Sequence, residues 1–444
     1  MNRLHISKEA LSIAMAYVGV LVGAGLSSGQ DLLQYFLCFG KLGMVGVVLL
    51  GVLNVVFGRI IVTLGSHYQS TSHQEVLEQI AHPVINRIID ITLVISCFVV
   101  GFVMVAGAGA NLQQQFGLPS WLGALLCSVL VAAIAFLDFD KITRVLGIFT
   151  PVIVVMILVV AGVTFWGRSY DFEALDMAAA TIKPAMPNVW LSVVNYFALC
   201  AMNGVSMALV LGGSVVRIGD AEKGGALGGT IIGLIVTCAA LALFAHLDTV
   251  KGAEIPMLMI VNHIHPAFAF VYALVIFALI FNTAFSLYYA TACRFGGDDM
   301  KKKRRLLIGI VAAGYICSFG GFTTLVSYMY PLLGYMGILL LVVLSVAWVE
   351  ERENIIREKF LRRKMMRLLF RKYDDDYEFT AKHKKTFQKL GEMSAADTET
   401  LKEDIKAYVE EVVENHDDLQ AYAKEHLSME GSPLKKELET KEKK

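Results

Sequence analysis

A polar stretch interrupts the first long apolar segment of the sequence. It runs Gly23-Ala-Gly-Leu-Ser-Ser-Gly-Gln-Asp31, where an uninterrupted membrane helix would be apolar. Each glycine weakens a helix by about 1 kcal/mol relative to alanine. Backbone that unwinds at membrane depth must be surrounded by protein or by a water-filled cavity. Its free N–H groups would bind an anionic group, and its free carbonyls a cation. We therefore predict a site for a small solute, and its lining residues in this stretch are Gly23, Ala24, Gly25, Ser27, Ser28, Gly29 and Asp31.

A second polar cluster lies in the sixth apolar segment, between Asn195 and Ser206. Broken helices in both halves of a chain are typical of transporter binding sites. We predict a second break here, with Asn195, Asn203 and Ser206 as further solute ligands. Two alternatives remain open. Spacings such as Gly19-x-x-x-Gly23 also fit close helix packing, and Asp31 also fits the outer membrane interface.

The eighth apolar segment places Asn282, Thr283 and Ser286 on one helical face. Their amide and hydroxyl oxygens would suit a hard cation such as Na⁺. The same residues also fit hydrogen bonding between helices, or back-bonding to the helix's own carbonyls.

Composition assigns these segments to a membrane protein. The chain has 444 residues, of which 56% are hydrophobic and 18% charged, whereas soluble proteins are about 45–50% apolar and about 25% charged. Its formal charge is zero, so nothing predicts nucleic-acid binding. Long apolar runs predict an all-α protein with ten membrane helices. The predicted spans are 12–38, 41–58, 87–113, 121–137, 142–166, 187–213, 226–247, 267–293, 305–320 and 323–349.

The basic residues orient these spans. With both termini inside, the inner segments carry 14 Lys and Arg and the outer segments carry four. Positive residues are enriched on the cytoplasmic side. We therefore predict a multi-pass protein of the cell membrane whose N- and C-termini are cytoplasmic.

Two motifs carry a resemblance to a known family. The first is Tyr17-Val-Gly-Val-Leu-Val-Gly-Ala-Gly-Leu-Ser-Ser-Gly-Gln-Asp31, followed by Phe36 and Phe39-Gly40. The second is Gly320-Gly-Phe-Thr-Thr-Leu-Val326, followed by Tyr330-Pro331 and Gly337. From Lys8 to Val349, motif order and span count resemble the YkvI-like family of uncharacterised membrane proteins. That family resembles the amino acid–polyamine–organocation superfamily, with its leucine-transporter fold.

The resemblance implies two inverted five-helix repeats, with the solute held at breaks in helices 1 and 6. In sodium-coupled members a cation lies between the first break and the eighth helix. By position, the resemblance assigns to that cation the carbonyls of Val22 and Gly25 and the side chains of Asn282 and Thr283. This sequence departs from the pattern at Asn282, where many sodium-coupled relatives have a hydroxyl.

Residues 350–444 differ in composition and are predicted to form a charged cytoplasmic tail after a membrane domain of residues 1–349. They hold 44 of the 78 charged residues. The basic, apolar segment 355–372 fits binding to anionic lipid or to a cytoplasmic partner; it also fits a solvated extension of the last helix. Residues 377–430 are predicted to form two or three charged amphipathic helices. Residues 431–444 are predicted to be disordered.

Together these features predict a secondary transporter of a small solute that works by alternating access. The expected solute is an amino acid or related carboxylate, and the expected coupling ion is Na⁺ or H⁺. No other cofactor and no enzymatic activity are expected. The main alternative is a membrane-embedded sensor of the same fold that signals through the tail. An intramembrane enzyme or a channel fits the sequence less well. The oligomeric state is left open.

Overall fold

The computed structural model of the protein describes residues 7–22, 24–134, 148–166, 170–297, 299–373 and 379–415, with residues 422, 427 and 429. Within these ranges every regular element is a helix. The first half contains α1 (Lys8–Leu21), α2 (Ala24–Ser28), α3 (Gln30–Tyr35), a 3₁₀ turn (Leu37–Phe39), α4 (Gly40–Tyr68), α5 (His73–Ile80), α6 (Pro83–Phe116), α7 (Ser120–Ile134), α8 (Phe149–Phe165) and α9 (Phe172–Ala179). The second half contains α10 (Val189–Gly213), α11 (Ile218–Ala245), α12 (Leu247–Val250), α13 (Pro256–Ile264), α14 (Pro266–Gly296), α15 (Met300–Ser318), α16 (Phe322–Glu350), α17 (Arg352–Phe370), α18 (Ala381–Gly391) and α19 (Thr398–Asn415).

A helical segment lies at each of the ten predicted spans, which confirms an all-α, multi-pass membrane protein. Six of the segments are long and apolar enough to cross a bilayer, and α7 and α8 are shorter apolar helices. The ends of the predicted fourth and fifth spans, residues 135–147, lie outside the described residues. The number of crossings therefore stays a prediction.

Two helices extend well beyond their predicted bounds, and both carry paired charged residues in the added part. α4 continues past Arg59 to Tyr68, and the Arg59 guanidinium reaches the Glu222 carboxylate and lies over the Trp348 ring. α11 begins at Ile218 rather than at residue 226. Its early Asp220 pairs with Arg217.

Packing divides the membrane helices into two groups. α1, α4, α10 and α11 pack against one another, and α6, α7, α14 and α15 form a second group. α16 contacts both α10 and α6. Such a division fits rigid movement of one bundle against another.

α4 and α11 pack closely against each other through glycines on both helices. These glycines are Gly51 and Gly58 on α4 and Gly225, Gly229 and Gly233 on α11. A Cβ at Gly58 would lie 2.6 Å from the Gly225 carbonyl oxygen. A Cβ at Gly233 would lie 2.9 Å from the Gly51 Cα. At these positions the two backbones touch without intervening side chains, as small residues allow between membrane helices.

The structure corrects the prediction of a second broken helix. α10 runs without interruption from Val189 to Gly213. Gly204, which lies within the polar cluster that predicted a break, allows a close approach to α1, since a Cβ there would lie 2.3 Å from Leu21 Cδ2. Close packing was the alternative interpretation of the glycines in the first span, and in α10 it is what the structure shows at Gly204.

The tail forms a second hydrophobic cluster beside the membrane helices. α17 follows α16 with one intervening residue, Glu351. Its Leu361 and Met365 pack in one apolar cluster with Phe387 on α18 and Ile405 on α19. The apolar face of the basic segment 355–372 is therefore covered inside the protein. Residues 431–444, predicted to be disordered, lie outside the described residues.

One buried arginine fastens the tail to the membrane helices. Arg362 on α17 is 1% exposed and pairs with Glu358 at 2.8 Å. Its guanidinium also donates to the carbonyls of Ser66, His67 and Val216 at 2.9, 2.8 and 3.2 Å. Two of these carbonyls belong to the last turn of α4, where helix carbonyls lack intrahelical partners.

Candidate functional site

The predicted break in the first helix is confirmed. α1 ends at Leu21, and the chain resumes helical geometry at Ala24 and stops again at Gly29, whose φ is +77°. Glycine adopts this left-handed conformation at little cost. Gly23 and the side chain of Ala24 lie outside the described residues, so their predicted roles stay predictions.

Side chains satisfy the polar backbone of the break. The Ser28 hydroxyl donates to the Gly25 carbonyl at 2.9 Å and accepts from the Gln30 amide at 3.2 Å. The Tyr272 hydroxyl on α14 donates to the Ser27 carbonyl at 3.0 Å. Ser27 and Ser28 are each 1% exposed. A solute or ion that binds these carbonyls must therefore share them with the hydroxyl groups or displace those groups.

Asp31 is the carboxylate of the site, and it is 2% exposed. One oxygen accepts from the Leu32 amide at 3.0 Å, and the other accepts a short hydrogen bond from the Tyr196 hydroxyl on α10. The carboxylate turns back towards Gly25, where a Cβ would lie 3.1 Å from Oδ2. Burial excludes the alternative that Asp31 lies at an exposed outer interface.

α10 lies alongside the whole break. Leu21 meets Gly204 at one end, Asp31 meets Tyr196 in the middle, and the Tyr35 hydroxyl donates to Asn195 at 3.3 Å at the other end. The Asn195 amide in turn donates to the Pro331 carbonyl at 2.9 Å. The predicted ligand Asn195 is thus close to the site but is bonded within the protein.

The other predicted ligands on α10 lie farther along the helix. The Asn203 oxygen accepts from Ser96 on α6 at 3.1 Å, beside the end of α1. The Ser206 hydroxyl lies 3.0 Å from His73 Nδ1 on α5. Ser206 is eleven residues, or about 16 Å, from Asn195 along α10. The two residues cannot contact one small solute.

The candidate cation ligands on α14 present acceptor oxygens. Thr283 donates its hydroxyl proton to the Leu279 carbonyl at 2.9 Å, which leaves its lone pairs available. The Asn282 side-chain oxygen is buried and has no hydrogen-bond partner among the described residues. Ser286 is half-buried on the same helix. The hydrogen bond from α14 to the first-helix break, however, is donated by Tyr272. Tyr272 lies ten residues before Asn282 in α14, which is about 15 Å along the helix axis. A site that also uses the Val22 and Gly25 carbonyls stays a prediction.

Sequence reasoning missed three aromatic residues of the site: Tyr35, Tyr196 and Tyr272. The Tyr35 and Tyr196 rings are 5.1 Å apart between centroids. Each carries a lone hydroxyl inside an apolar segment, and buried tyrosine hydroxyls usually find a partner. That rule could have marked them as candidates without identifying what they contact.

Gly19 was grouped with Gly23 as a packing pair, and the structure does not support this. Nothing lies within 4 Å of a Cβ built at Gly19. The residue is exposed on the surface of α1. The glycines of the first helix therefore differ in role.

The break, the bundle and the order of the helices define a membrane protein with the leucine-transporter fold. The chain is similar to the crystal structure of MhsT in complex with L-phenylalanine, with a TM-score of 0.52 and 14% identity. The match covers 90% of this chain and 97% of that chain. At this identity the likeness shows the fold, and it confirms the fold implied by the sequence.

Among curated proteins the chain is similar to the uncharacterized membrane protein YkvI of Bacillus subtilis (strain 168), 27% identical over 332 residues. It is also similar to the uncharacterized protein YyaD of the same organism, 26% identical over 329 residues. Each match covers 74% of this chain and 93% of the relative. The resemblance to YkvI-like proteins is thereby confirmed. No protein-family model matches the chain.

Proposed function

We propose that the protein is a secondary transporter that moves a small solute across the cell membrane by alternating access. The first-helix break is its binding site. The observation that carries the proposal is the position of Asp31, a buried carboxylate inside a membrane bundle. Intramembrane carboxylates are costly and are typically functional.

Asp31 needs a positive partner that its surroundings do not supply. Its hydrogen-bond partners among the described residues are the Tyr196 hydroxyl and the Leu32 amide, and no described basic side chain contacts it. A buried charge without a counter-charge is strongly unfavourable. The balance is supplied by a proton, by Na⁺, or by the ammonium group of the solute. An amino acid or a related amino-bearing carboxylate meets this requirement.

The Asn282 side-chain oxygen, which has no hydrogen-bond partner among the described residues, and the Thr283 lone pairs favour Na⁺ as a coupling ion. A proton held on Asp31 is the alternative coupling ion.

Uptake by purified protein in liposomes tests this proposal. Labelled amino acids are offered with an inward Na⁺ gradient, with an inward proton gradient, or with neither. Accumulation should require one gradient, and Asp31→Asn should abolish the accumulation. Asp248→Asn makes the same chemical change at an exposed residue and should transport normally.

Two outcomes contradict the proposal. Normal, gradient-driven uptake by Asp31→Asn would exclude the carboxylate as the site. Equal losses in Asp31→Asn and Asp248→Asn would show that the change acts through general damage.

A membrane-embedded sensor is the second candidate, and the attachment of the tail favours it. Arg362 donates to carbonyls at the C-terminal end of α4 and in the loop before α11, so movement of that bundle would reach the tail. A sensor would bind an amino acid without transporting it. Saturable binding in detergent together with no flux in liposomes would favour this function over transport.

The tail-bearing face is proposed to be cytoplasmic, as the basic residues predict. A fluorescent reporter that matures only in the cytoplasm, fused after Lys444, should fluoresce. A dark fusion that is nevertheless inserted in the membrane would reverse the orientation.

A further inference from the structure

A groove lies on the outer surface of the membrane helices, between α6 and α15. It has a volume of about 420 Å³ and is lined by Phe98 of α6 and by residues 302–313 of α15. The Phe98 ring is held in place by the rings of Phe102 and Tyr288, at 5.5 and 6.3 Å between centroids. On the opposite side nothing lies within 4 Å of a Cβ built at Gly309. The α6–α15 groove is therefore a space between a fixed aromatic wall and a helix face of small side chains.

Charged and apolar residues are separated along the groove. The two charged lining residues, Lys302 and Arg305, are at its α15 N-terminal end, and the lining from Leu306 to Ala313 is apolar. From Arg305 to Ala313 is eight residues, or about 12 Å along the helix axis. The hydrocarbon of one leaflet is about 15 Å thick, which is half of a typical bilayer core. The groove thus matches a phospholipid within one leaflet in both length and polarity.

The basic end of the groove lies on the face of the membrane helices that carries the tail. α5 has eight residues and is too short to cross a bilayer, so α6 begins on the face where α4 ends and Arg362 of the tail binds. Arg294 in the last turn of α14 pairs with Asp90 near the start of α6, and α15 begins shortly after α14 ends. This is the face proposed to be cytoplasmic, and the cytoplasmic leaflet carries anionic lipids.

Both cations of the groove are available to a ligand. The Lys302 ammonium and the Arg305 guanidinium are exposed, and neither has a hydrogen-bond or ion-pair partner among the described residues. The neighbouring Asp299 carboxylate is occupied by the backbone of α15, since its Oδ1 accepts from the amides of Lys301 and Lys302 at 2.8 and 3.2 Å. In the part of the chain that the structure describes, no acidic residue lines the groove. The groove therefore favours an anionic head over a zwitterionic one.

From this geometry we infer that the α6–α15 groove binds one anionic phospholipid of the leaflet on the tail-bearing side. The phosphate lies between Lys302 and Arg305, and an acyl chain lies against Phe98 and over Gly309. Arginine binds phosphate oxygens through two parallel N–H groups, and basic pockets between membrane helices bind anionic headgroups.

A second copy of the chain is the other occupant that the groove could take. The spacing Gly309-x-x-x-Ala313 fits contact with a neighbouring helix. In a two-fold symmetric dimer, however, the same patch of both copies forms the interface. Lys302 and Arg305 of each copy would then approach the same residues of the other, and like charges repel. The charge of the lining therefore favours the lipid.

Native mass spectrometry of the purified full chain tests the inference, because it counts the lipid molecules that stay bound. The protein in a neutral detergent is titrated with phosphatidylglycerol, with phosphatidylcholine of the same acyl chains, or with glycerol phosphate, which has no acyl chain. The first phosphatidylglycerol should bind at least about fivefold more tightly than phosphatidylcholine, since each basic residue near the surface contributes about that factor. Glycerol phosphate should bind much more weakly than phosphatidylglycerol, because it leaves the apolar part of the groove empty.

Charge-removing variants locate the headgroup. Lys302→Gln and Arg305→Gln should each raise the half-saturating concentration of phosphatidylglycerol about fivefold. Lys301→Gln removes the same charge from the same turn of α15 but lies outside the lining, so it should bind as the unaltered protein does. All three side chains are exposed, so the three variants should fold.

A groove-filling variant locates the acyl chain. Gly309→Phe places a ring in the groove and should remove the preference for phosphatidylglycerol at the first bound lipid. Gly162→Phe on α8 is the matched control, because nothing lies within 4 Å of a Cβ built there either.

Four results would overturn the inference. Equal binding of the two phospholipids would exclude recognition of the charge, and glycerol phosphate bound as tightly as phosphatidylglycerol would exclude a role for the groove. Equal losses in Lys301→Gln and Lys302→Gln would show that general surface charge attracts the lipid. A dimer that Gly309→Phe dissociates would assign the groove to a second copy. Amino acid uptake is not a readout here, so failure of the proposed transport function would leave this test unaffected.

Discussion

Replacement of Arg362 should release the tail from the membrane bundle. In Arg362→Ala the carbonyls of Ser66, His67 and Val216 lose a shared donor, and Glu358 loses its only described ion-pair partner. Glu358 is 3% exposed and would keep its hydrogen bonds from Ser394 and Ala395, at 2.6 and 3.3 Å. Breaking a buried ion pair by removing one partner costs about 3–5 kcal/mol. That free energy corresponds to a roughly 10²- to 5 × 10³-fold increase in the open population of the tail.

Hydrogen exchange of the backbone amides of α17 measures this opening directly, because exchange follows local unfolding. The amides of α17 and α19 should exchange roughly 10² to 5 × 10³ times faster in Arg362→Ala, while those of α10 are unchanged. Arg362→Lys, which keeps the charge and loses the planar fork, should give an intermediate rate. Arg352→Ala removes an exposed arginine from the same helix and serves as the matched control. Exchange in Arg362→Ala no faster than in Arg352→Ala would refute the assignment of Arg362 as the fastening residue.

Two further predictions concern the site and the pH dependence of stability. Gly25→Leu should abolish uptake without preventing membrane insertion, because the Cβ of the new side chain alone would lie 3.1 Å from Asp31 Oδ2. Gly19→Leu should transport normally, because nothing lies within 4 Å of a Cβ at that position. Normal uptake by Gly25→Leu, or equal loss in both variants, would contradict the site. Burial lowers the pKa of His73, and Arg294 lowers it further, so the folded protein keeps this histidine neutral where the unfolded chain takes up a proton. Stability should therefore fall as pH drops below about 6.5, and melting curves should show a smaller fall for His73→Gln; parallel pH profiles would exclude His73 as the cause.

The all-α membrane architecture was predictable because it follows from the length of the apolar runs. The orientation that the basic residues predict stays a prediction. The first break was predictable because Gly25, Ser27, Ser28 and Gly29 weaken a helix locally, and that information is contained in a few neighbouring residues. The fold confirms both expectations.

The continuity of the sixth span as one helix was not predictable from its glycine and polar residues. A glycine weakens a helix and also allows close packing, and Gly204 fulfils the second role against Leu21. The choice depends on a side chain far away in sequence. The same is true of Tyr196 and Tyr272, which meet Asp31 and Ser27 across 165 and 245 residues. Local composition identified the groups that need partners but not the partners themselves.

The backbone contact between α4 and α11 affects how loss-of-function mutations should be interpreted. At Gly58 and Gly233 even one methyl group would force the two helices apart, although neither glycine belongs to the solute site. A survey of substitutions scored by uptake alone would rank these positions with the binding residues. Surface yield and melting temperature, recorded beside uptake, would separate faults in assembly from faults in recognition.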